Sequence, residues 1–443
     1  MKVSETCGLS ENLTEMKAVI LAAGEGVRLQ PITFARPKHL IKVGGKAILE
    51  HCLSALKTCG ITEAVIVTHY MGDAIRRYFA DGEKFGSKIE YVEQEAVLGT
   101  GNAVSVAEPY VEEEFVLVYG DLLFAPEAMK SIIDLYEKEQ PAVSMAVVPV
   151  EKPENYGIVE LEDEKCVKRI VEKPSLGEAP SNWANAGLYV LSNEIFEKAK
   201  QIKASVRGEW EITDAISLLL KNKKTVLAAE ISRDDWVDIG RPWDLLEANR
   251  WALTRMEHEV CGIVENGAHL VGQVTVAETA RIRSGAYVEG PTLIEEGGDI
   301  GPNCFIRGCT SVGKNVRIGN ACEIKNSIIM DKTHIGHLSY VGDSVLCEDC
   351  NLGAGTITAN YRFDGGIIKM MVKGEVMDTG RRKLGVILGD KVKTGINALF
   401  MPGVKVGNDS WIGPNFIVNR DLPANTVALL KQDEDTRERK AQS

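Results

Sequence analysis

The sequence predicts an α/β fold, a Rossmann-like doubly wound domain followed by a left-handed parallel β-helix of hexapeptide repeats. Three observations carry that expectation. Short Val- and Ile-rich runs alternate with helical patterns as far as about Val237, and a charged, helix-compatible stretch follows. From Val264 onward an aliphatic residue then recurs at every sixth position. At 443 residues the chain is too long for one ordinary core, so more than one domain is expected.

In the first half, Lys17–Leu21, Ala64–Thr68 and Phe115–Tyr119 read as buried strands. Between the first two, Ile48, Leu49, Cys52, Leu53 and Leu56 are spaced as one apolar face of a helix. Strand, helix, strand in that order implies a parallel sheet with crossovers. Val143–Val150, Tyr156–Leu161 and Leu188–Leu191 are further strand candidates. This domain is expected over residues 16–241. Pro242–Glu259 reads as a linker helix with Pro in its first turn.

The β-helix is expected over residues 260–430. Val264, Leu270, Val276, Ile282, Val288, Ile294, Ile300, Ile306, Val312, Ile318 and Ile324 keep one phase, which neither an α-helix nor a hairpin explains. Hexads of this kind wind into a coil whose short strands each send one aliphatic side chain inward. Asn303, Asn315 and Asn320 occupy turn positions. The phase slips near Met330, runs loosely through Ile335 and Val341, and returns at Val406, Ile412 and Val418. The charged, Gly-containing interval Arg362–Gly385 is expected to protrude as a loop. Residues 1–15, with Glu5, Glu11 and Glu15 and no basic start or apolar run, read as a polar extension rather than a signal peptide. Residues 431–443 read as a polar tail.

A formal charge of -12 argues against a nucleic-acid surface as the main partner. No apolar run approaches the roughly 18 residues that would cross a bilayer. Ten cysteines are scattered without the spacing of a secreted scaffold, so reduced thiols in a cytoplasmic protein are expected. Cys347 and Cys350 have metal-like spacing, but two further ligands at a comparable spacing do not follow.

The chemistry of the first half starts at Leu21-Ala22-Ala23-Gly24-Glu25-Gly26-Val27-Arg28, directly after a strand. The segment lacks the Lys-Ser/Thr of a Walker loop and the third Gly of a dinucleotide fingerprint. Its small residues still let backbone amides approach phosphate oxygens. Arg28 and Lys38, with Pro31 and Pro37 between them, add two cations to the same mouth. The plainer alternative is a tight strand-to-helix turn with solvated cations.

This segment, followed by Arg36-Pro37-Lys38, resembles the signature of sugar-1-phosphate nucleotidylyltransferases, and the resemblance continues through residues 16–245. Gln94 with Leu98-Gly99-Thr100-Gly101 resembles the family's base-recognition segment, and Tyr119-Gly120-Asp121 its metal-holding strand end. Tyr156-Gly157-Ile158-Val159, Glu172-Lys173-Pro174 and Asn185-Ala186-Gly187 resemble the sugar-contacting segments. Trp236-Val237-Asp238-Ile239-Gly240 matches the place of the second metal ligand. The resemblance implies that Leu21, Ala22, Ala23, Gly24, Gln94, Gly99 and Thr100 bind the nucleotide, and that Gly157, Glu172 and Asn185 bind the sugar. It implies Mg²⁺ on Asp121 and Asp238, with Arg28 and Lys38 as catalytic cations. In such a reaction a sugar-phosphate oxygen attacks the α-phosphorus in line and pyrophosphate leaves. Catalysis is then positioning and charge neutralisation, without a protein nucleophile.

In the second half, His334-Ile335-Gly336-His337-Leu338-Ser339-Tyr340-Val341-Gly342-Asp343 precedes Asn351-Leu352-Gly353-Ala354-Gly355-Thr356 and Asn360-Tyr361. This order resembles the acetyltransferase domain of the bifunctional glucosamine-1-phosphate acetyltransferase/N-acetylglucosamine-1-phosphate uridylyltransferases. The resemblance implies His337 as general base and Arg307, Lys325, Tyr340, Asn351 and Asn360 around the acetyl acceptor. It also implies acetyl-CoA as co-substrate and a homotrimer. The chemistry is consistent with those residue types: a sugar amine must lose a proton before it attacks the thioester, and imidazole titrates in the right range. An Asn or a backbone amide is expected to stabilise the oxyanion that forms.

Two departures matter. Arg362–Leu384 is longer than in the bacterial enzymes, and Arg381-Arg382-Lys383-Leu384-Gly385 resembles the archaeal-type branch, where galactosamine 1-phosphate is a further acceptor. Asp238 stands where the bacterial bifunctional enzymes have Asn, so UTP and dTTP both stay open as the nucleotide. Three readings therefore compete at this point. One is a bifunctional enzyme. A second is a uridylyl- or thymidylyltransferase with a structural, oligomerising β-helix, and a third is a regulatory subunit with a silent first site.

Overall fold

The computed structural model describes residues 16–205, 208–434 and 436. The extension expected over residues 1–15, and residues 435 and 437–443 of the expected tail, lie outside them. The chain folds as two compact units. One runs to Val27 and resumes over Arg36–Asp244, and the other runs from Leu245 onward and includes Arg28–Ala35.

In the first unit, strand Lys17–Ala22 lies between Glu63–Thr68 and Glu114–Tyr119, parallel to both, with Lys88–Glu93 parallel at the edge. Helix Ile48–Thr58 makes the first crossover and buries Ile48, Leu49, Cys52, Leu53 and Leu56. The expectation of a parallel sheet holds for this part and for the pairing of Val226–Glu230 with Val143–Pro149, but not for the rest. On the other side of Glu114–Tyr119, the long strand Trp183–Ser192 is antiparallel, and Gly157–Leu161, Val167–Glu172 and Val143–Pro149 pair antiparallel beyond it. Of these pairs, only Gly157–Leu161 and Val167–Glu172 are joined by a connection too short for a parallel return, which needs a crossover of a dozen or more residues. A separate two-stranded ribbon pairs Leu122–Phe124 with Trp236–Asp238. Apolar side chains fill both faces of the central strands, Ile20 and Val118 on one and Val19 and Leu117 on the other.

The second unit opens on helix Asp244–Arg255, which buries Leu245, Leu246, Ala248, Asn249, Ala252 and Leu253. The amide of Asn249 is fully buried. It donates to the Cys309 carbonyl at 3.1 Å and accepts from Ser311 Oγ, so the helix is hydrogen-bonded to an early coil. The rest is a parallel β-helix of three sheets. Val276 pairs with Ile294 and Ile294 with Val312, and the same step joins Ile282, Ile300 and Ile318 in the second sheet and Val288, Ile306 and Ile324 in the third. Each turn therefore takes three hexads, with those aliphatic residues fully buried in one column per sheet. Val264, at 37% exposure, and the partly buried Leu270 are the exceptions, because they belong to the terminal coil.

The slip near Met330 has a simple cause. Val312 pairs with Ile329, Ile318 with Ile335 and Ile324 with Val341, so these coils are one residue short of three hexads. Corners are turned by residues at positive φ, among them Asn303, Asn315, Asn326 and Asp343. Asn and Asp tolerate that region better than other non-glycine residues. Asn320 is not itself a corner residue; it ends strand Arg317–Asn320, and Ala321 takes the positive φ. The interval expected to be a plain loop contains a hairpin, Lys369–Val372 paired with Glu375–Asp378. Its Met370 and Val372 are buried, while Val376 is exposed. Among the described residues no helix is long and apolar enough to cross a membrane.

The column predicts a stability effect. Ile318 is fully buried between Ile300 and Ile335. Ile318→Ala is expected to cost about 2–5 kcal/mol, the range for truncating a packed core aliphatic. Denaturant unfolding read on the β-helix checks this; an unchanged midpoint would contradict the packing described.

Candidate active sites

In the first unit the Gly-rich segment after Leu21 and Asp121 after Tyr119 lie at the carboxyl ends of neighbouring strands. Leu21 and Tyr119 are register partners, and the Gly120 amide donates to the Leu21 carbonyl at 2.9 Å. A Cβ on Gly120 would fall 2.8 Å from that carbonyl oxygen, so the two strand ends approach closely only because Gly120 lacks a side chain. The segment after Ala22 does not enter an α-helix. It passes through 3₁₀ turns at Val27–Leu29, Ile32–Phe34 and Lys38–Leu40, which removes the strand-to-helix alternative. Arg28 stands exposed on the first turn, in the stretch Arg28–Ala35 that belongs to the other unit.

Lys38 on the third turn forms an ion pair with Asp121, both side chains being largely covered. Its Nζ would lie 3.4 Å from a Cβ on Gly24, so the ammonium spans from the Gly-rich segment to the strand-end carboxylate. Asp238 is brought to the same place by the ribbon: it is the register partner of Leu122, and the Ile239 amide donates to the Asp121 carbonyl at 3.2 Å. Beyond it, burial and then the Asp238 carboxylate push Asp244 up to about 7. Among the described residues no group of three or more His, Cys, Asp or Glu could hold a metal ion. One or two carboxylates together with substrate phosphates are the usual donor set for Mg²⁺, which keeps several waters.

Gln94 is buried, and its side-chain nitrogen donates to Asn102 Oδ1 at 2.7 Å and to the Gly99 carbonyl at 3.4 Å. With both N–H bonds committed, its Oε1 is left as an acceptor. Gly99 sits at φ +111 with the Trp210 backbone 2.6 Å from where a Cβ would be. Thr100 Oγ1 accepts from the Ile212 amide at 2.9 Å and so ties this segment to helix Ile212–Lys221. Gly157 and Glu172 are cross-strand partners, and Asn185 lies beside them. Asn185 accepts from the Gly187 amide at 3.1 Å and donates to Tyr189 Oη at 2.5 Å, and Tyr189 Oη is 3.3 Å from Tyr119 Oη.

His39, which sequence reasoning passes over, is fully buried under Gly120. Burial and the Lys38 ammonium push its pKa down to about 3, so it is neutral. An isolated His after Lys38 carries no periodic signal that could have marked it.

In the β-helix, Arg307, Lys325 and Gly342 stack in one register column over three coils. Arg307 is 3.2 Å from Glu323. Lys325, Tyr340 and Asn360 are brought together, and Asp343, given no role by the sequence reading, joins them. Asn360 Nδ2 donates to Tyr340 Oη at 3.0 Å and to Asp343 Oδ2 at 2.5 Å, and Lys325 Nζ is 3.6 Å from that same oxygen. Burial, then the Asp343 carboxylate, raises the Tyr340 phenol above its ordinary value. A groove of about 500 Å³ runs along the preceding corner, lined by Asn303, Phe305, Glu323, Leu338, Ser339 and Tyr340, and of the cluster only Tyr340 reaches it.

His337 is not part of that cluster. It ends strand His334–His337 in the adjoining sheet with its side chain exposed, immediately before the corner Leu338-Ser339 that leads to Tyr340. Asn351 is also exposed and pairs with His334 rather than His337. Cys347 and Cys350 are buried. The Cys350 thiol donates to the Gly389 carbonyl at 3.2 Å, and burial pushes it up to about 12.

The Nucleotidyl transferase family model matches residues 17–255, and the GMPPB C-terminal domain model matches residues 270–399. A bifunctional protein GlmU of Methanocaldococcus jannaschii is 42% identical over 419 residues, covering 95% of this chain and 98% of the relative. One from Methanococcus maripaludis is 46% identical over 419 residues with the same coverage. A bifunctional sugar-1-phosphate nucleotidylyltransferase/acetyltransferase of Sulfurisphaera tokodaii is 41% identical over 410 residues, covering 92% of this chain and 98% of the relative. Among solved structures, a glucose-1-phosphate thymidylyltransferase from Bacillus anthracis, in complex with sucrose, aligns with TM-score 0.50 at 31% identity. It covers 55% of this chain and 98% of that one.

Proposed function

The chain belongs to the family of bifunctional sugar-1-phosphate nucleotidylyltransferase/acetyltransferases, and from that premise we propose that it makes a UDP-N-acetylhexosamine at two separate sites. It is an enzyme of both classes, with nucleotidylyl transfer in the first unit and acetyl transfer in the β-helix. The first step is N-acetylation of glucosamine 1-phosphate, with galactosamine 1-phosphate as a further acceptor. The second transfers uridylyl from UTP to the N-acetylated product and releases pyrophosphate. The observation that best supports the reading is that one chain retains two intact polar constellations, Lys38 with Asp121 beside Asp238, and Lys325 with Tyr340 and Asn360.

In acetyl transfer, Arg307 and Lys325 attract the phosphate of the amino sugar and Tyr340 donates to it. His337 takes a proton from the amine as the amine nitrogen attacks the thioester carbonyl of acetyl-CoA; the C–S bond then breaks, and the CoA thiolate takes up that proton and leaves as the thiol. In uridylyl transfer, backbone amides of Ala22–Gly24 face the triphosphate and Gln94 Oε1 accepts an N–H of the base. Gly157, Glu172 and Asn185 hold the sugar so that its phosphate lies in line with the α-phosphorus. Arg28 and Lys38 offset the charge that builds there. Asp121 and Asp238 would hold Mg²⁺, which supplies further neutralisation of the triphosphate.

The β-helices assemble as a homotrimer in this reading. An outward column of Tyr287, Phe305, Tyr340, Ile357, Leu399 and Ile417 on one sheet, interrupted by Glu323 between Phe305 and Tyr340, supports association. Buried free thiols such as Cys52, Cys304 and Cys350 support a reducing, cytoplasmic setting.

Chelation separates the two reactions. Removing divalent metal is expected to abolish pyrophosphate release from UTP and N-acetylglucosamine 1-phosphate while CoA release from acetyl-CoA and glucosamine 1-phosphate continues. Concerted loss of both would contradict two independent sites. Running the same assays with dTTP and with galactosamine 1-phosphate fixes the nucleotide and the sugar.

A further inference from the structure

We propose that Asp343 is a positioning residue of the acetyl-acceptor site, holding Asn360 in the one amide orientation that turns its carbonyl oxygen toward the sugar amine. The proposal rests on the acetyltransferase reading above and deepens it.

Asp343 is buried at a β-helix corner, φ +50, one coil beyond Asn326 at φ +44. Its two oxygens do different things. Oδ1 accepts from Asn326 Nδ2 at 2.7 Å, a bond from corner to corner that serves the coil. Oδ2 faces away from the corner and meets Asn360 Nδ2 at 2.5 Å and Lys325 Nζ at 3.6 Å. Gly342 makes room for this arrangement: a Cβ there would clash with Tyr340 Oη and lie 2.7 Å from Asn360 Nδ2. Asn360 also stands at the root of the hairpin-bearing insertion, where its carbonyl accepts from the Leu384 amide at 3.0 Å.

A carboxylate can only accept, so Asn360 must present its nitrogen to Asp343. That nitrogen has two hydrogens, and the second goes to Tyr340 Oη. Three consequences follow from counting donors and acceptors. Asn360 has no side-chain N–H left for an oxyanion, so the oxyanion role considered for an Asn does not fall to it. Its Oδ1 is the group that remains for the substrate, and a carbonyl oxygen receives an amine N–H. Tyr340, already accepting from Asn360, keeps its own hydrogen for a phosphate oxygen. Lys325 is oriented by the same Asp343 oxygen while its remaining hydrogens point to that phosphate. One carboxylate thus sets the polarity of the whole acceptor site.

Asp343→Asn isolates this function. The amide oxygen of the new side chain still accepts from Asn326, so the corner bond survives, whereas its NH₂ confronts the donors of Asn360 and Lys325. The variant is expected to raise KM for glucosamine 1-phosphate by about ten- to hundredfold, the scale of losing charge-assisted hydrogen bonds. KM for acetyl-CoA is expected to stay within about twofold, since the change reaches only the acceptor. Pyrophosphate release by the same preparation is expected at the parent rate, which shows that the chain is folded. Unchanged acetylation kinetics would overturn the proposal. So would an equal rise in both KM values with a lowered thermal midpoint, which is the signature of a corner residue alone. If the parent enzyme acetylates neither amino sugar phosphate, the functional reading fails and takes the proposal with it.

Discussion

His337→Ala is expected to lower acetyl transfer to glucosamine 1-phosphate by about 10²–10⁴-fold, the usual contribution of a positioned general base, and to leave uridylyl transfer unaltered. The position makes the result interpretable. The His337 side chain is exposed, so its removal opens no cavity. Its backbone is independently fixed, because the His337 carbonyl accepts from Ser339 Oγ at 2.8 Å and from the Gly355 amide at 3.2 Å. Register pairing of His337 with Asn320 holds the strand from the other side. What the variant loses is an imidazole at the edge of the groove that Leu338, Ser339 and Tyr340 line. Initial rates of CoA release by parent and variant measure the effect. A loss smaller than about tenfold would remove His337 from the proton transfer.

The complementary variant is Lys38→Ala, expected to reduce kcat for pyrophosphate release by about 10²–10³-fold, as when one preorganised electrostatic contact is removed. Lys38 connects two parts of the site, lying against Gly24 and pairing with Asp121. Its loss removes a cation from the phosphate mouth and leaves the Asp121 carboxylate without that counter-charge in a largely covered place. The neighbouring His39 is a poor substitute, because it is fully buried and burial is the largest cause of its lowered pKa. Acetylation by the Lys38 variant is expected at the parent rate. If pyrophosphate release survives, Lys38 serves only as the structural partner of Asp121.

The hexads are readable because each turn repeats the same burial: one aliphatic side chain per strand, in a column that every coil extends. The slip near Met330 is readable as a change of phase, but its exact place is not, since Ile329 and Met330 are both apolar and only the pairing of Val312 chooses between them. In the first unit the central strands announce themselves as apolar runs. Edge strands Lys88–Glu93 and Val167–Glu172 carry charged residues on exposed positions and look like loop. The ribbon that delivers Asp238 has strands of only three residues, too short for any periodicity. Motif order placed Asp121 near Asp238 and Lys325 near Tyr340. It could not place Asp343, because an Asp at a coil corner is also what a tight turn selects. Which oxygen of that carboxylate meets Asn360 is set by the stacking of successive coils, a property of register rather than of local sequence.

The most direct test of the two-site account is the mass of the nucleotide sugar made when the purified chain receives UTP, glucosamine 1-phosphate and acetyl-CoA labelled in its acetyl group. The account predicts a UDP-N-acetylhexosamine carrying the label, with CoA and pyrophosphate released alongside. A nucleotide sugar lacking the acetyl group, with no CoA released, would contradict it and leave a nucleotidylyltransferase joined to a structural β-helix.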